Sequence, residues 1–444
     1  MFVIREAHDR DIDDLLTLAK QTYFINLPPD RDIIADKVEQ SVLSFQGLAD
    51  GPHGEPSSSK SLPADHLDAQ TNGHPADLNT DAAPQPRIAV TAPARSRARA
   101  PRTVQEALHG AAATSARTGH GAPRRPSSAS GLQAITGRGD LFLLVLENSE
   151  TGSIVGTSQV IAHMGGPGHP RFFMSLARVS HSSRSLGLGW SHLVGRIGKD
   201  ETGPTEIGGL ILNHAFRGHP QRLGRLLSFA RFHLMGLHRA RFADRVVAEM
   251  LGPIKRDGAN PFYEKFTRHF VTRAFADVYK FSQTSREFLE SLMPAGDMYL
   301  SILDPEVAHA AGDVSDDTRP ARALLERLGF AYHDRIDPLD GGPHLEAMTD
   351  EIGLVSATQR IDGIDAAKRR STRTRAAPRP PRANAKGTSR GSLLVSALGE
   401  GSEFRLVQCE GEIENDRALI PADAAEALDV GAVHTLGATR IDLS

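Results

Sequence analysis

Between Leu48 and Gly137 this chain carries no aromatic residue, and Pro, Gly, Ser, Ala, His and Arg dominate. A run such as Ala92-Pro93-Ala94-Arg95-Ser96-Arg97-Ala98-Arg99-Ala100-Pro101-Arg102 cannot bury enough apolar surface to offset the entropy of ordering it. Any core must therefore be built from the residues on either side. Residues 49–137 read as a disordered insertion in a surface loop, which is tolerable because loop-closure entropy grows slowly with length. Its arginines could meet nucleic acid or acidic lipid, but a solvated linker is the simpler reading.

On either side the pattern is that of a folded α/β protein. Phe2–Arg5 is strand-like, Asp11–Lys20 and Asp32–Phe45 have helical spacing, and Leu141-Phe142-Leu143-Leu144-Val145-Leu146 reads as a buried strand that turns at 147–152 into a return strand from Ser153. A strand at Thr205–Leu212, a helix at about Arg222–Leu237, a strand at Arg245–Met250 and a helix at Pro261–Phe270 follow. Residues 1–48 and 138–283 thus form one mixed-sheet domain. A second α/β unit is expected over 284–364, with helices at Ser285–Leu292 and Thr318–Leu328 and a strand at Met298–Leu303. A basic, Pro-containing linker covers 365–391, and 392–444 reads as a small β module.

Charge and composition narrow the function. The 51 basic and 54 acidic side chains give a formal charge of -3, which argues against binding nucleic acid through bulk charge. The single cysteine, Cys409, excludes an intrachain disulfide framework and a cysteine metal site. Charges in Met1–Glu6 do not fit a signal peptide, and no apolar run approaches the roughly 18 residues of a membrane span. The expectation is a soluble, cytoplasmic protein acting on small molecules, with no metal and no permanently bound cofactor.

One stretch carries chemistry. Thr205-Glu206-Ile207-Gly208-Gly209-Leu210-Ile211-Leu212 runs into Asn213-His214-Ala215-Phe216-Arg217-Gly218 and then into the helix of Gly224-Arg225-Leu226-Leu227. A helix start offers backbone N–H groups and a dipole to an anion such as a pyrophosphate, and Arg217, Arg222 and Arg225 could add charge-assisted bonds. Alone this is an ordinary strand–loop–helix. The order of elements around it, however, resembles the GNAT acyltransferase fold, in which this loop binds the pyrophosphate of acyl-CoA.

Longer phrases sharpen the resemblance. Leu146–Gly152, His181–Leu186, Arg225–Phe232, Val246-Val247-Ala248-Glu249-Met250-Leu251-Gly252, Asn260-Pro261-Phe262-Tyr263, Phe288–Pro294 and Asp340-Gly341-Gly342-Pro343-His344-Leu345-Glu346 are similar to the arginine N-succinyltransferases, over about residues 1–48 and 138–350. The resemblance implies transfer of a succinyl group from the cosubstrate succinyl-CoA to the α-amino group of arginine, in a homo- or hetero-oligomer. It implies acyl-CoA contacts from Leu210, Arg217, Gly218, Gly224 and Arg225; Glu249, amid apolar residues at the end of its strand, could hold the substrate guanidinium or be a buried structural carboxylate.

Two departures stand out. His219-Pro220-Gln221-Arg222-Leu223 is longer than the family's loop and poorer in glycine, and Pro220 removes an N–H donor. The family's proton-donating histidine lies in a Gly-x-Val-His-x-x-Thr phrase, whereas this chain reads Gly312-Asp313-Val314-Ser315-Asp316-Asp317-Thr318. A hydroxyl is no general acid near neutral pH. Three groups are therefore candidates for catalysis. Glu206 is a possible base, or simply a solvent-facing strand residue. Tyr263 is an alternative acid, or a packing residue. Ser315 could hold substrate or water, or be an exposed loop serine. An N-acyltransferase with another amine or acyl donor, and a homologue that binds without catalysis, stay open.

Overall fold

The computed structural model describes residues 1–21, 27–49, 139–367, 391–399, 403–429 and 435–441. Of the insertion expected at 49–137, Ala49 ends a helix and 50–137 lie outside the described residues, as do residues 368–390 of the expected linker. Strand β1 (Phe2–Glu6) leads into helices α1 (Ile12–Ala19) and α2 (Arg31–Ala49). Asp30 caps α2, its Oδ1 accepting the amide of Asp32 at 3.1 Å. Arg5, on β1, is buried and donates to both Asp11 oxygens, at 2.7 and 2.8 Å, and to Glu147 at 2.5 Å. This bidentate pairing ties β1 to the turn before α1 and to β2 (Leu141–Asn148).

The apolar run of β2 is continuous because both its faces are covered. Leu143 and Val145 pack with Leu15, Leu18 and Ile34 of α1 and α2. Phe142, Leu144 and Leu146 face the other core, built around helix α3 (Leu223–Leu237). β3 (Ser153–Ile161) returns beside β2, and Gly156 lets Leu227 of α3 approach, since a Cβ there would lie 2.7 Å from Leu227 Cδ1.

The remaining strands are β4 (Arg171–Ser183), β5 (Leu188–Asp200), β6 (Thr205–Leu212), β7 (Arg245–Glu249), β8 (Met298–Tyr299), β9 (Ala331–Ile336), β10 (Pro343–Met348), β11 (Thr358–Ile361), β12 (Gly363–Ala367), β13 (Gly391–Leu398), β14 (Arg405–Glu414), β15 (Arg417–Pro421) and β16 (Thr435–Arg440). One path of paired strands runs β11-β16-β13-β14-β1-β2-β3-β6-β7-β10-β9-β4-β5-β8, and β12 and β15 pair beside it. On that path β6 and β7 are the parallel pair.

Several expectations need correction. The long hairpin β4–β5 was not legible, because its outer half alternates no apolar face and leaves Leu186, Leu188 and Trp190 exposed. The strand expected at Met298–Leu303 shrinks to Met298–Tyr299, which pairs at Val194 and Gly195; Leu300–Ile302 then curls into a 3-10 turn that buries Leu300. Residues 365–367 of the expected linker are the end of β12, parallel to β15. The strands of 391–441 extend the sheet through the β1–β14 pair, Ile4 opposite Leu406. Strands β9 and β10 of the 284–364 segment likewise join β4 and β7. Among the described residues no helix is long and apolar enough to cross a membrane.

His233, fully buried on α3, bridges the helix to two C-terminal strands: Nδ1 lies 2.6 Å from Thr439 Oγ1 and Nε2 lies 2.7 Å from Ser396 Oγ. Burial pushes its pKa down to about 3. The folded state therefore keeps this ring neutral while the unfolded chain takes up a proton below pH 6.5. Its contribution is complete above that pH and is lost on acidification, by about 1.4 kcal/mol per pH unit. In urea denaturation of wild type and His233→Gln, the advantage of wild type should be about 2 kcal/mol smaller at pH 5 than at pH 8. An unchanged difference would show that the ring is not held neutral.

Candidate active site

β6 and β7 pair through Thr205–Val246, Glu206–Val247 and Ile207–Ala248, and no pairing continues beyond. β6 runs on to Leu212 while β7 ends at Glu249, so the two parallel strands part. At the same place β6 holds an extra residue against β3: Thr157 faces Ile211 and Gln159 faces Gly208. Gly209 sits in this bulge at φ +56, a backbone conformation that favours glycine. The bulge reverses the alternation of side chains. Ile207, Leu210 and Leu212 pack toward α3, whereas Ile211 joins the α1–α2 side.

A buried set of charged and polar side chains gathers beside this parting. Glu206 is 3% exposed. Burial, with Glu249 nearby, raises its pKa to about 7 against the pull of Arg171, Arg286 and Lys37. Burial would raise Glu249 as well, but Arg286 and Arg171 outweigh it and bring it down to about 2. Arg171 Nε donates to Glu249 Oε1 at 2.8 Å, and Arg286 Nη2 reaches Oε2 at 3.3 Å. Lys37 of α2 donates to Gln159 Oε1 at 3.3 Å, and burial lowers its pKa to about 8. Two glutamates on adjacent strands are thus driven apart, one toward a base that titrates near neutrality, the other to a fixed anion.

His344 of β10, opposite Glu249, receives a hydrogen bond at Nδ1 from Arg171 Nη2 at 2.9 Å. The guanidinium is the donor, so the neutral ring carries its hydrogen on Nε2. Burial, then Arg171, lower this histidine to about 3, which unsuits it as an acid near pH 7. Ligand atoms of Glu249, Asp337 and His344 lie within 4.8 Å of one another. Arg171 and Arg286 already face these groups with positive charge, which opposes a cation there.

Backbone contacts hold the region together. A Cβ on Gly342 would lie 1.9 Å from Met250 O, and one on Gly252 would lie 2.2 Å from Asp340 O. The stretch after β7 and the 340–342 turn therefore touch backbone to backbone, which only glycine permits. Asn260 locks the contact, its Nδ2 donating to Asp340 O at 2.9 Å and Pro253 O at 3.1 Å. Three of the phrases quoted above thus converge in space.

Among the expected site residues, Glu206 is buried rather than solvent-facing, and Glu249 lies beside it. Leu210 is half-buried against the α3 core. Tyr263 is corrected to a packing residue: its ring is buried in a second core, its hydroxyl donates to Arg273 O at 3.1 Å, and burial raises its pKa to about 12. Ser315 is not the exposed loop serine expected. It is 9% exposed, its amide donates to Leu251 O at 3.1 Å, and its hydroxyl is 3.0 Å from Thr318 Oγ1. Arg217 is exposed and lies 3.5 Å from Asp317. Gly218 has φ +73 and open space around it. Gly224 and Arg225 are half-exposed in the first turn of α3. Arg225 is lowered by burial and by the charges of Arg222 and Arg327, so three guanidiniums share this helix start.

Sequence reasoning missed Arg171, Arg286, Lys37, Asp337 and Arg327. Lys37 left a trace, since it shares a helix face with Ile34 and Ser41, both buried. The arginines left none, because their partners lie 37 to 173 residues away.

The chain matches the family model described as Arginine N-succinyltransferase beta subunit over residues 125–354. It is 30% identical over 301 residues to the Arginine N-succinyltransferase of Yersinia pestis (strain Pestoides F), covering 66% of this chain and 79% of that protein. Against the Arginine N-succinyltransferase of Enterobacter sp. (strain 638) it is 33% identical over 221 residues, covering 50% of this chain and 63% of that one, which is less than two thirds of the relative. The solved arginine/ornithine succinyltransferase subunit AI from Pseudomonas aeruginosa superposes with a TM-score of 0.65 at 20% identity, covering 100% of this chain and 99% of that one; it shares the fold.

The backbone contact yields a stability test. Gly342→Ala should destabilise the protein by at least ~2 kcal/mol, because neither Met250 O nor the turn can retreat. Gly353→Ala, a helical position with nothing within 4 Å, should leave stability unchanged or slightly raised. Equal melting temperatures for wild type and Gly342→Ala would refute the close approach.

Proposed function

Because this chain belongs to the arginine N-succinyltransferase family, we propose that it transfers the succinyl group of succinyl-CoA to the α-amino group of arginine. The observation that carries this reading is the buried Glu206 on a strand that parts from its parallel neighbour just after it. Acyl transfer to an amine needs a group that takes a proton at neutral pH, because an ammonium has no lone pair. Glu206, raised to about 7, is such a group.

In this reading the diphosphate of succinyl-CoA lies at the start of α3, among Arg217, Arg222, Arg225 and Arg327, with Gly218 and Gly224 giving the backbone room. The acyl arm passes Leu210 along the bulged part of β6, where backbone N–H groups can face the thioester oxygen. Glu206 takes a proton from the ammonium, the freed amine attacks the thioester carbonyl carbon, and the C–S bond breaks to release the CoA thiolate while the nitrogen's second surplus proton passes to solvent or to the departing sulfur, leaving the amide. Thiolate leaves without an obligatory acid, because a thiol pKa is about 8.5. Ser315 in place of the family's histidine therefore slows protonation of the leaving group without blocking transfer.

Two outcomes follow. Gly224→Asp and Arg225→Ala should each weaken CoA binding about tenfold or more in calorimetry; a Cβ on Gly224 would meet only Leu212 Cδ2, at 3.9 Å, so the backbone there has room for a side chain. Undiminished affinity in both would move the phosphate site elsewhere. In a mass-spectrometric assay with succinyl-CoA and arginine, kcat/KM should climb with pH through about 7 as Glu206 loses its proton. Glu206→Gln should cost about 10²-fold or more and flatten that limb. Absence of succinylarginine at any pH would sink the reading.

A further inference from the structure

Arg286 begins helix α6 (Glu287–Leu292, after α4 at Arg268–Val271 and α5 at Phe275–Ser282) and reaches back to the parted strands. Its five N–H donors are poorly used. Nη2 meets Glu249 at 3.3 Å, while Nη1 lies 3.6 Å from Asp337 Oδ2, beyond hydrogen-bond distance. Nε and Nη1 are both buried and have no hydrogen-bond partner among the described residues. Arg171, on the other oxygen of Glu249, has its Nη1 in the same condition, 3.9 Å from Asp200. A buried charged donor without an acceptor is costly, so such a pair points to an acceptor that arrives from outside. Arg286 keeps 14% of its side chain accessible, whereas Arg171 has none, so a ligand meets Arg286 first.

The surrounding charge agrees. Burial pushes the carboxyls of Glu206, Asp337 and Asp340 up from their ordinary range. Against the fixed anion of Glu249 stand Arg171, Arg286 and Lys37. Asp200, the other anion near Arg171, is held by Arg245 at 2.5 Å, and a guanidinium fork matches a carboxylate.

We propose that Arg286 is a substrate-binding residue that takes a carboxylate of an incoming substrate, with Arg171 as a positioning residue behind it, locked to Glu249 and His344. This inference rests on the succinyl-transfer reading for its two possible ligands, since the succinyl chain and arginine each carry a carboxylate that takes no part in the bond changes. The shared chemistry is an aliphatic carboxylate within a few bonds of the reacting centre, and experiment distinguishes the sources.

The test is equilibrium binding to the full chain at pH 7.5 of two matched pairs: succinyl-CoA against butyryl-CoA, and arginine against argininamide. Wild type should favour the carboxylate of at least one pair by about tenfold or more. Arg286→Gln should bring that ratio close to one with affinity for CoA itself unchanged, and Arg286→Lys should keep part of it. Collapse in the first pair assigns the succinyl carboxylate, and collapse in the second assigns the amino acid. Ratios that are equal in wild type and Arg286→Gln, or no discrimination in wild type, overturn the proposal. Unchanged CoA affinity reports that the variant is folded. If wild type makes succinylarginine while Arg286→Gln keeps its ratios, this inference alone falls. If no product forms yet the ratio collapses in the variant, the transfer reading alone falls.

Discussion

The site depends on two parallel strands that stop pairing. Backbone N–H and C=O groups in a sheet interior need partners, so strands do not separate without compensation. Here β3 holds β6 on one side and β10 holds β7 on the other. The extra residue at Gly208–Leu210 turns β6, and the backbone contact of Gly252 and Gly342 fixes the chain that leaves β7. Once the strands are held apart, Glu206 and Glu249 lie among buried charged and polar side chains. That is why Glu206 and Glu249, two residues out of step on adjacent parallel strands, share one electrostatic neighbourhood.

The neighbourhood is costly to build. Several charges lie out of water, and the desolvation of such ions commonly matches or exceeds their mutual attraction. Stability alone does not account for it. The arrangement is better understood as a way to fix ionisation states: Arg171 and Arg286 concentrate on Glu249, which stays an anion, and leave Glu206 to be governed by burial. An anion held beside a second carboxyl raises that carboxyl further, so the same cations that pin one glutamate allow the other to titrate near neutrality.

Much of this was legible in the sequence, and the limits are physical. The apolar run at 141–146 and the strand, turn and helix of 205–237 announce themselves because burial on both faces or one face leaves a periodic mark. The phrases at 246–252, 260–263 and 340–346 were recognisable, yet why they persist together is visible only in three dimensions, where Asn260 and two glycines join them. The β4–β5 hairpin lay hidden because an exposed ribbon needs no apolar alternation. The ion pairs were invisible because charge complementarity between Arg171 and Glu249 has no local signature across 78 residues. Tyr263 misled in the opposite way: its position in a familiar phrase suggested chemistry, and its hydroxyl is consumed by a backbone carbonyl.

Ser315 bears on how such a site divides its labour. Its loop is anchored to the end of β7 through Leu251, and Gly312 donates to Gly341 O at 2.8 Å, so the backbone that would present a histidine there is built into the same corner. Two groups near that corner do not replace an imidazole: His344 is held neutral by burial and by Arg171, and the Tyr263 hydroxyl donates to Arg273 O. Protonation of the leaving group and deprotonation of the amine are separable demands, and they differ in weight. A thiolate is already a tolerable leaving group near neutral pH, whereas an ammonium cannot attack at all. Under the proposed transfer, Glu206, buried and raised to about 7, would meet the demand that the chemistry can least do without.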